Sequence, residues 1–223
     1  MKLIIGALIA IVIILSVWYY QWKMISVHGV NLRNWNVIGS YSNSNEAAEL
    51  LSRAHKTLIQ FMRVLETKYH IDETDDTIAM EGSQHTAIVN SRGDVYNCVD
   101  TLLNNYNPDR IFENDPKWNK GTSYTMNKGE SMYVCLRNRD DPSKLIDFDT
   151  LLFVLLHEIS HIANYNGWGH STRFWEVFAF ILHEAQLAGL YTPINYEKYP
   201  VMYCGLEINY SPLFDPSLKK IWV

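Results

Sequence analysis

Between Leu151 and Leu156 the chain reads Leu-Leu-Phe-Val-Leu-Leu, and the polar residues His157, Glu158 and His161 follow without a break. A helix that is apolar on every side belongs in a core. Ionisable groups carried into a core without partners are costly. Whatever fold this chain adopts must bury that segment and give its three polar groups something to hold.

Local signals bound the segment. Asp147 or Asp149 offers an N-cap, the helical stretch runs from about Thr150 to Tyr165, and Asn166-Gly167 marks its end. Inside it, His157-Glu158-Ile159-Ser160-His161 is an HExxH. Residues four apart stack on one helix face, so both imidazoles can aim a nitrogen at one zinc ion about 2.0–2.1 Å away. Glu158 lies one step round the helix, where a carboxylate reaches a metal-bound water rather than the metal, the place of a general base.

A catalytic zinc takes three protein ligands and keeps its fourth position open. The first candidate for the third is His170, just past Gly167-Trp168-Gly169, where a tight reversal would return the start of the next helix to the metal. The rival is Glu176, two turns into that helix, which otherwise reads as an exposed charge. Ser171 caps this second helix, and Phe174, Trp175, Phe178, Ile181, Leu182 and Ala185 give it a broad apolar face before Gly189 and Pro193. His183-Glu184 repeats two letters of the motif without a second histidine and reads as a surface pair. His28, His55, His70 and His85 have no partner at ligand spacing.

The rest of the chain is an appendage plus one domain. Leu3 to Tyr20 carries no charge and as a helix is about 27 Å long, close to a ~30 Å hydrocarbon core. Trp18, Tyr19, Tyr20 and Trp22 suit a membrane interface rather than a signal-peptide cleavage site. Residues 1–22 are therefore predicted as a transmembrane anchor whose flanking charges leave orientation open, and the Asn- and Ser-rich residues 23–43 as a linker or irregular entry. An amphipathic helix is predicted through Ala47, Leu51, Ala54, Leu58, Phe61 and Leu65, with Ser44 or Asn45 as its cap. Residues 71–93 read as acidic and irregular with a short strand at Thr86–Asn90, and 94–105 as a short helix. Ser123–Met126 and Ser131–Leu136 are β-prone and joined by Asn127-Lys128-Gly129-Glu130, a hairpin pattern. The tail from Thr192, with four prolines, reads as irregular wrapping.

Two counts exclude function classes. A formal charge of −5, with no Lys/Arg run, gives no electrostatic footprint for a phosphate backbone, so nucleic acid is not an expected partner. Cys98, Cys135 and Cys204 form no CxxC, which rules out a cysteine zinc knuckle. Three buried thiols are the leading expectation, and one disulfide with a free thiol is the alternative.

The stretch HEISHIANYNGWGHSTRFWEVF resembles the HExxH, Gly-His, Phe-Trp pattern of WLM and Spartan-type zinc metallopeptidases. The resemblance covers residues 150–190. It implies that His157, His161 and His170 bind Zn2+, that Glu158 is the catalytic base, and that Phe174-Trp175 is the family's aromatic pair. The gap from His161 to His170 is longer than a metzincin spacer and no Met-turn follows. The anchor and Tyr203-Cys204-Gly205 are similar to membrane-anchored WLM-like proteins of large DNA viruses. The expectation is an α+β zincin-like domain over 44–223 with a small sheet, on one N-terminal transmembrane helix. It would hydrolyse protein or peptide, with substrate added to the strand around Ser131–Leu136. Tyr191, Tyr196, Tyr199 and Tyr203 are open candidates for an oxyanion contact. The reading from another class is a catalytically silent membrane scaffold with a structural zinc or none.

Overall fold

A computed structural model describes residues 2–29, 33–69, 85–115 and 121–222. Their order is α1 (Lys2–Lys23), β1 (Met24–His28), β2 (Asn34–Ile38), α2 (Ser44–Tyr69), α3 (His85–Asn105), β3 (Ile111–Glu113), β4 (Tyr124–Met126), β5 (Ser131–Val134), α4 (Phe148–Ala163), α5 (Thr172–Leu187), β6 (Val201–Tyr203) and β7 (Leu206–Ile208). The fold is mixed α+β. Five strands form one sheet in the order β1-β2-β3-β5-β4, and β6 and β7 form a separate antiparallel hairpin.

The helices form as the sequence dictates. Asp147 accepts hydrogen bonds from the amides of Asp149 and Thr150 and so fixes the start of α4, while Ser171 accepts from Phe174 N to start α5. Every residue from Leu151 to Leu156 is buried, as are Ile159 and Ile162. α2 turns Ala47, Leu51, Ala54, Leu58, Phe61 and Leu65 into the same core.

Several expectations are corrected. Thr86–Asn90 lies in α3, where helix continuity into the core residues Val95, Val99 and Leu102 overrides the β-branched local preference. Residues 23–43 contain β1 and β2, paired Met24 with Ile38 through His28 with Asn34. β5 is not an edge strand, because β3 flanks it on one side and β4 on the other, which leaves β4 at the edge. The tail holds the β6–β7 hairpin rather than irregular chain alone. The expected anchor is not among these corrections; among the described residues no helix is long and apolar enough to cross a membrane. In α1 the described apolar side chains, such as Leu8, Ile9 and Val12, are exposed.

Two covalent or ionic ties hold the sheet to its surroundings. Arg137 and Glu113 are wholly buried, with Arg137 Nε donating to Glu113 Oε1 at 2.5 Å while Ile38 N donates to Oε2 at 2.7 Å. Removing one partner of such a pair costs about 3–5 kcal/mol. The second tie is a disulfide, Cys135–Cys204, which joins the end of β5 to the β6–β7 turn across 69 residues, leaving Cys98 as a buried thiol. The arrangement of one disulfide and one thiol replaces the expected three thiols.

Closing a loop of that length restricts the unfolded chain by about 4 kcal/mol in the chain-entropy account. Phosphine reduction, or the pair Cys135→Ser and Cys204→Ser, should lower Tm by about 10 °C in a thermal melt. An unchanged Tm on confirmed reduction would show that the bond does not stabilise the fold.

Candidate metal centre

α4 places two imidazoles on one face and the turn after it brings a third. His161 Nε2 lies 3.2 Å from His157 Nε2, and His170 Nε2 lies 3.0 Å from the same atom. His157, His161 and His170 are the three-residue group whose ligand atoms all lie within 4.8 Å of one another among the described residues. Gly169, at φ +62°, takes the left-handed conformation that lets the chain reverse before His170. Glu176 is not in the group. It faces Arg173 at 3.6 Å, so the rival ligand is set aside.

The donor set fits a zinc ion. Three neutral imidazoles pointing Nε2 at one another bring lone pairs together, and separations of 3.0–3.2 Å are close to the ~3.3 Å edge of a tetrahedron with bonds of about 2.0 Å. Burial keeps the rings neutral. It lowers the His157 pKa well below its usual value, with the neighbouring histidines acting in the same direction, and takes His161 down to about 4. Phe174 supports the cluster, its ring stacked on His161 with centres 4.2 Å apart, and Trp175 stacks on His170 at 5.5 Å.

Glu158 is 2% exposed and accepts a hydrogen bond on Oε2 from Thr125 Oγ1 at 2.8 Å. Burial raises its pKa to about 7, and the Thr125 bond acts the other way. The centre opens into a cavity of about 440 Å³ whose apolar wall includes Phe153, Val154, Trp168, Leu206 and Ile208. Residues 122–125 line one side, so the edge strand β4 runs along the cavity.

The tyrosines separate. Tyr203 is buried in the cavity wall, donating to Cys135 O at 2.8 Å and sharing a 2.6 Å bond with Ser123 Oγ. Tyr191 and Tyr196 pack against Phe153 outside that wall, and Tyr199 is exposed. Away from the centre, Glu184 is buried and paired with Lys68 at 2.6 Å, rather than part of a surface pair, while His183 stacks on Trp222. His55 bonds Tyr106 Oη through Nδ1 at 2.9 Å. The side chains of His28, His70 and His85 lie outside the described residues. The sequence pattern missed Thr125, whose contact with Glu158 depends on a strand pairing that spacing does not encode.

No family model matches the chain. It is 34% identical over 99 residues to an uncharacterised protein, R325, of Acanthamoeba polyphaga mimivirus, an alignment covering 44% of this chain and 49% of that protein. It is 33% identical over 70 residues to an uncharacterised protein, 136R, of Invertebrate iridescent virus 6, covering 31% and 38%. The chain thus spans half or less of the relatives it matches. Among solved structures, a crystal structure of a Wss1 mutant from Saccharomyces cerevisiae aligns with TM-score 0.34 and 17% identity, covering 51% of this chain and 90% of that one.

The buried groups set the pH dependence of the metal-free protein. His157, His161 and His55 have folded pKa values below the ordinary 6.5, so their contribution is present above pH 6.5 and is lost as pH falls toward about 4. Glu158 has the opposite sign, its contribution being lost as pH rises from 4.5 to about 7. Three groups outweigh one. With chelator present, the urea midpoint should be lower at pH 5 than at pH 6.5, and Glu158→Gln should widen the difference. Equal midpoints would contradict the buried neutral histidines.

Proposed function

We propose that this chain is a zinc-dependent peptidase of WLM-like, large-DNA-virus type, acting on protein or peptide and anchored by its N-terminal helix. The observation that carries the reading is the convergence of His157, His161 and His170 beside a buried Glu158 held by Thr125. A purely structural site has no need of a base at that place. The exposed apolar side chains of α1 and the uncharged run Leu3–Tyr20 support the anchor. The Cys135–Cys204 bond supports placing the domain in an oxidising compartment, and the charge of −5 argues against nucleic acid as partner.

His157, His161 and His170 would hold the ion through their Nε2 atoms. Zinc bound there supplies Lewis acidity, bringing the pKa of a water toward about 7 and polarising a carbonyl. Glu158 takes the proton of the attacking water on its carboxylate and returns it to the departing amine nitrogen. Thr125 Oγ1 keeps the carboxylate turned toward the cavity. An extended substrate would pair along β4, the last strand of the described sheet, drawing affinity from backbone hydrogen bonds. Tyr203 serves as wall, since its hydroxyl is engaged by Cys135 O and Ser123.

Elemental analysis of the purified protein should give about one zinc per chain, and markedly less for His170→Ala. Glu158→Gln should keep the metal and the fold while cleavage of a denatured-protein substrate falls by a factor of about 10² or more. Unchanged cleavage would overturn the mechanism, and a folded parent that takes up no zinc would favour the scaffold.

A further inference from the structure

The three histidines are not held alike. His157 and His161 project from α4, whose position is fixed by burial along its whole length, whereas His170 is exposed and hangs on the loop between α4 and α5. A donor on a loop is only as well placed as the loop. Trp175 and Phe174 of α5 pack against the ring itself, and the side chain that ties down the loop before it lies on another element, the turn between β4 and β5. Lys128 Nζ donates to the carbonyl of Asn164 and to the carbonyl of Gly167. Asn164 is the C-cap of α4, so an ammonium there meets the negative end of the helix dipole and satisfies a carbonyl the helix leaves open. Gly167 lies three residues before His170. The same ammonium sits 4.9 Å from the centre of the Trp168 ring, so the first two residues of the Gly167-Trp168-Gly169 reversal are addressed by one side chain.

The turn is shaped for this. Asn127, Lys128 and Gly129 have φ values of 44°, 58° and 110°, three successive residues in the left-handed region, which a lysine seldom enters. Gly129 donates its amide to Met126 O at 3.1 Å, and Asn127 Nδ2 donates to Glu130 Oε2 at 2.5 Å. A Cβ at Gly129 would come within 2.4 Å of Asn105 O, so the backbone there has no room for another residue.

Resting on the zinc reading above, we propose that Lys128 is a positioning residue for His170, setting the affinity of the metal centre by immobilising the loop that carries its third ligand. It touches neither the metal nor substrate in this role. Supporting contacts of this kind are worth about 10- to 100-fold in metal affinity where they orient a ligand directly, and here the lower end is expected because the contact acts through the loop.

The test is a double-mutant cycle on zinc affinity, measured with the full chain by competition against a chromophoric chelator. Lys128→Met keeps the stem and removes the donors. It should weaken zinc binding about tenfold or more, while Lys128→Arg, which restores donors, recovers part of the loss. In a His170→Ala background Lys128→Met should have no further effect, because the group it positions is gone. The cobalt(II) spectrum of Lys128→Met should shift toward that of His170→Ala. Gly129→Ala, which keeps the lysine but displaces the turn that carries it, should also weaken zinc binding, which guards against a Met variant that folds poorly. Unchanged affinity in folded Lys128→Met, or an equal loss with and without His170, would overturn the proposal while leaving the zinc site standing. A folded parent without zinc would overturn both.

Discussion

Desolvation of α4 governs the chemistry of this protein. A helix with no polar face is driven into the core, and His157, Glu158 and His161 go with it because they occupy its last turns. Burial disfavours the charged form of every group it reaches, holding the imidazoles neutral and the carboxyl protonated toward neutral pH. Neutral imidazoles are the form that coordinates a metal. The packing that stabilises the domain therefore also prepares the donor set.

The β4–β5 hairpin is the second support. Thr125 on β4 contacts the carboxylate of Glu158, and Lys128 in the turn reaches the α4–α5 loop, so one short element touches the buried and the exposed sides of the centre. Its own position is fixed from behind. β5 pairs in parallel with β3 over Ile111–Glu113, and Glu113 anchors Arg137 just past β5. Beyond it the Cys135–Cys204 bond and the Tyr203 hydroxyl fasten the β6–β7 hairpin, which supplies Leu206 and Ile208 to the cavity wall. Among the described residues the β6–β7 hairpin has no partner strand outside itself, so these links do what a sheet ladder does elsewhere.

What the sequence shows of this follows interaction range. α4 and α5, their Asp147 and Ser171 caps, and the histidines they bring to one face are written in spacings of three, four and nine residues. The turn at Asn127-Lys128-Gly129 is legible for the same reason. Contacts between distant segments are not. Nothing near Ser131–Val134 says that β3 rather than solvent lies on its far side, and so the edge strand is misassigned. The partner of Cys135 is 69 residues away, and one bond among three cysteines allows three pairings. Thr86–Asn90 misleads because β-branched residues favour strand locally, while the buried positions that decide for helix lie further along α3.

Burial moves the pKa of Glu158 up and those of the histidines down, because in each case it disfavours the charged form. Desolvation by burial raises the Glu158 pKa to about 7. A dication on the three Nε2 atoms would be the largest charge in the cavity, favouring the ionised carboxylate and leaving the imidazoles neutral. The Thr125 hydroxyl already favours ionisation and supplies a fixed donor to that carboxylate.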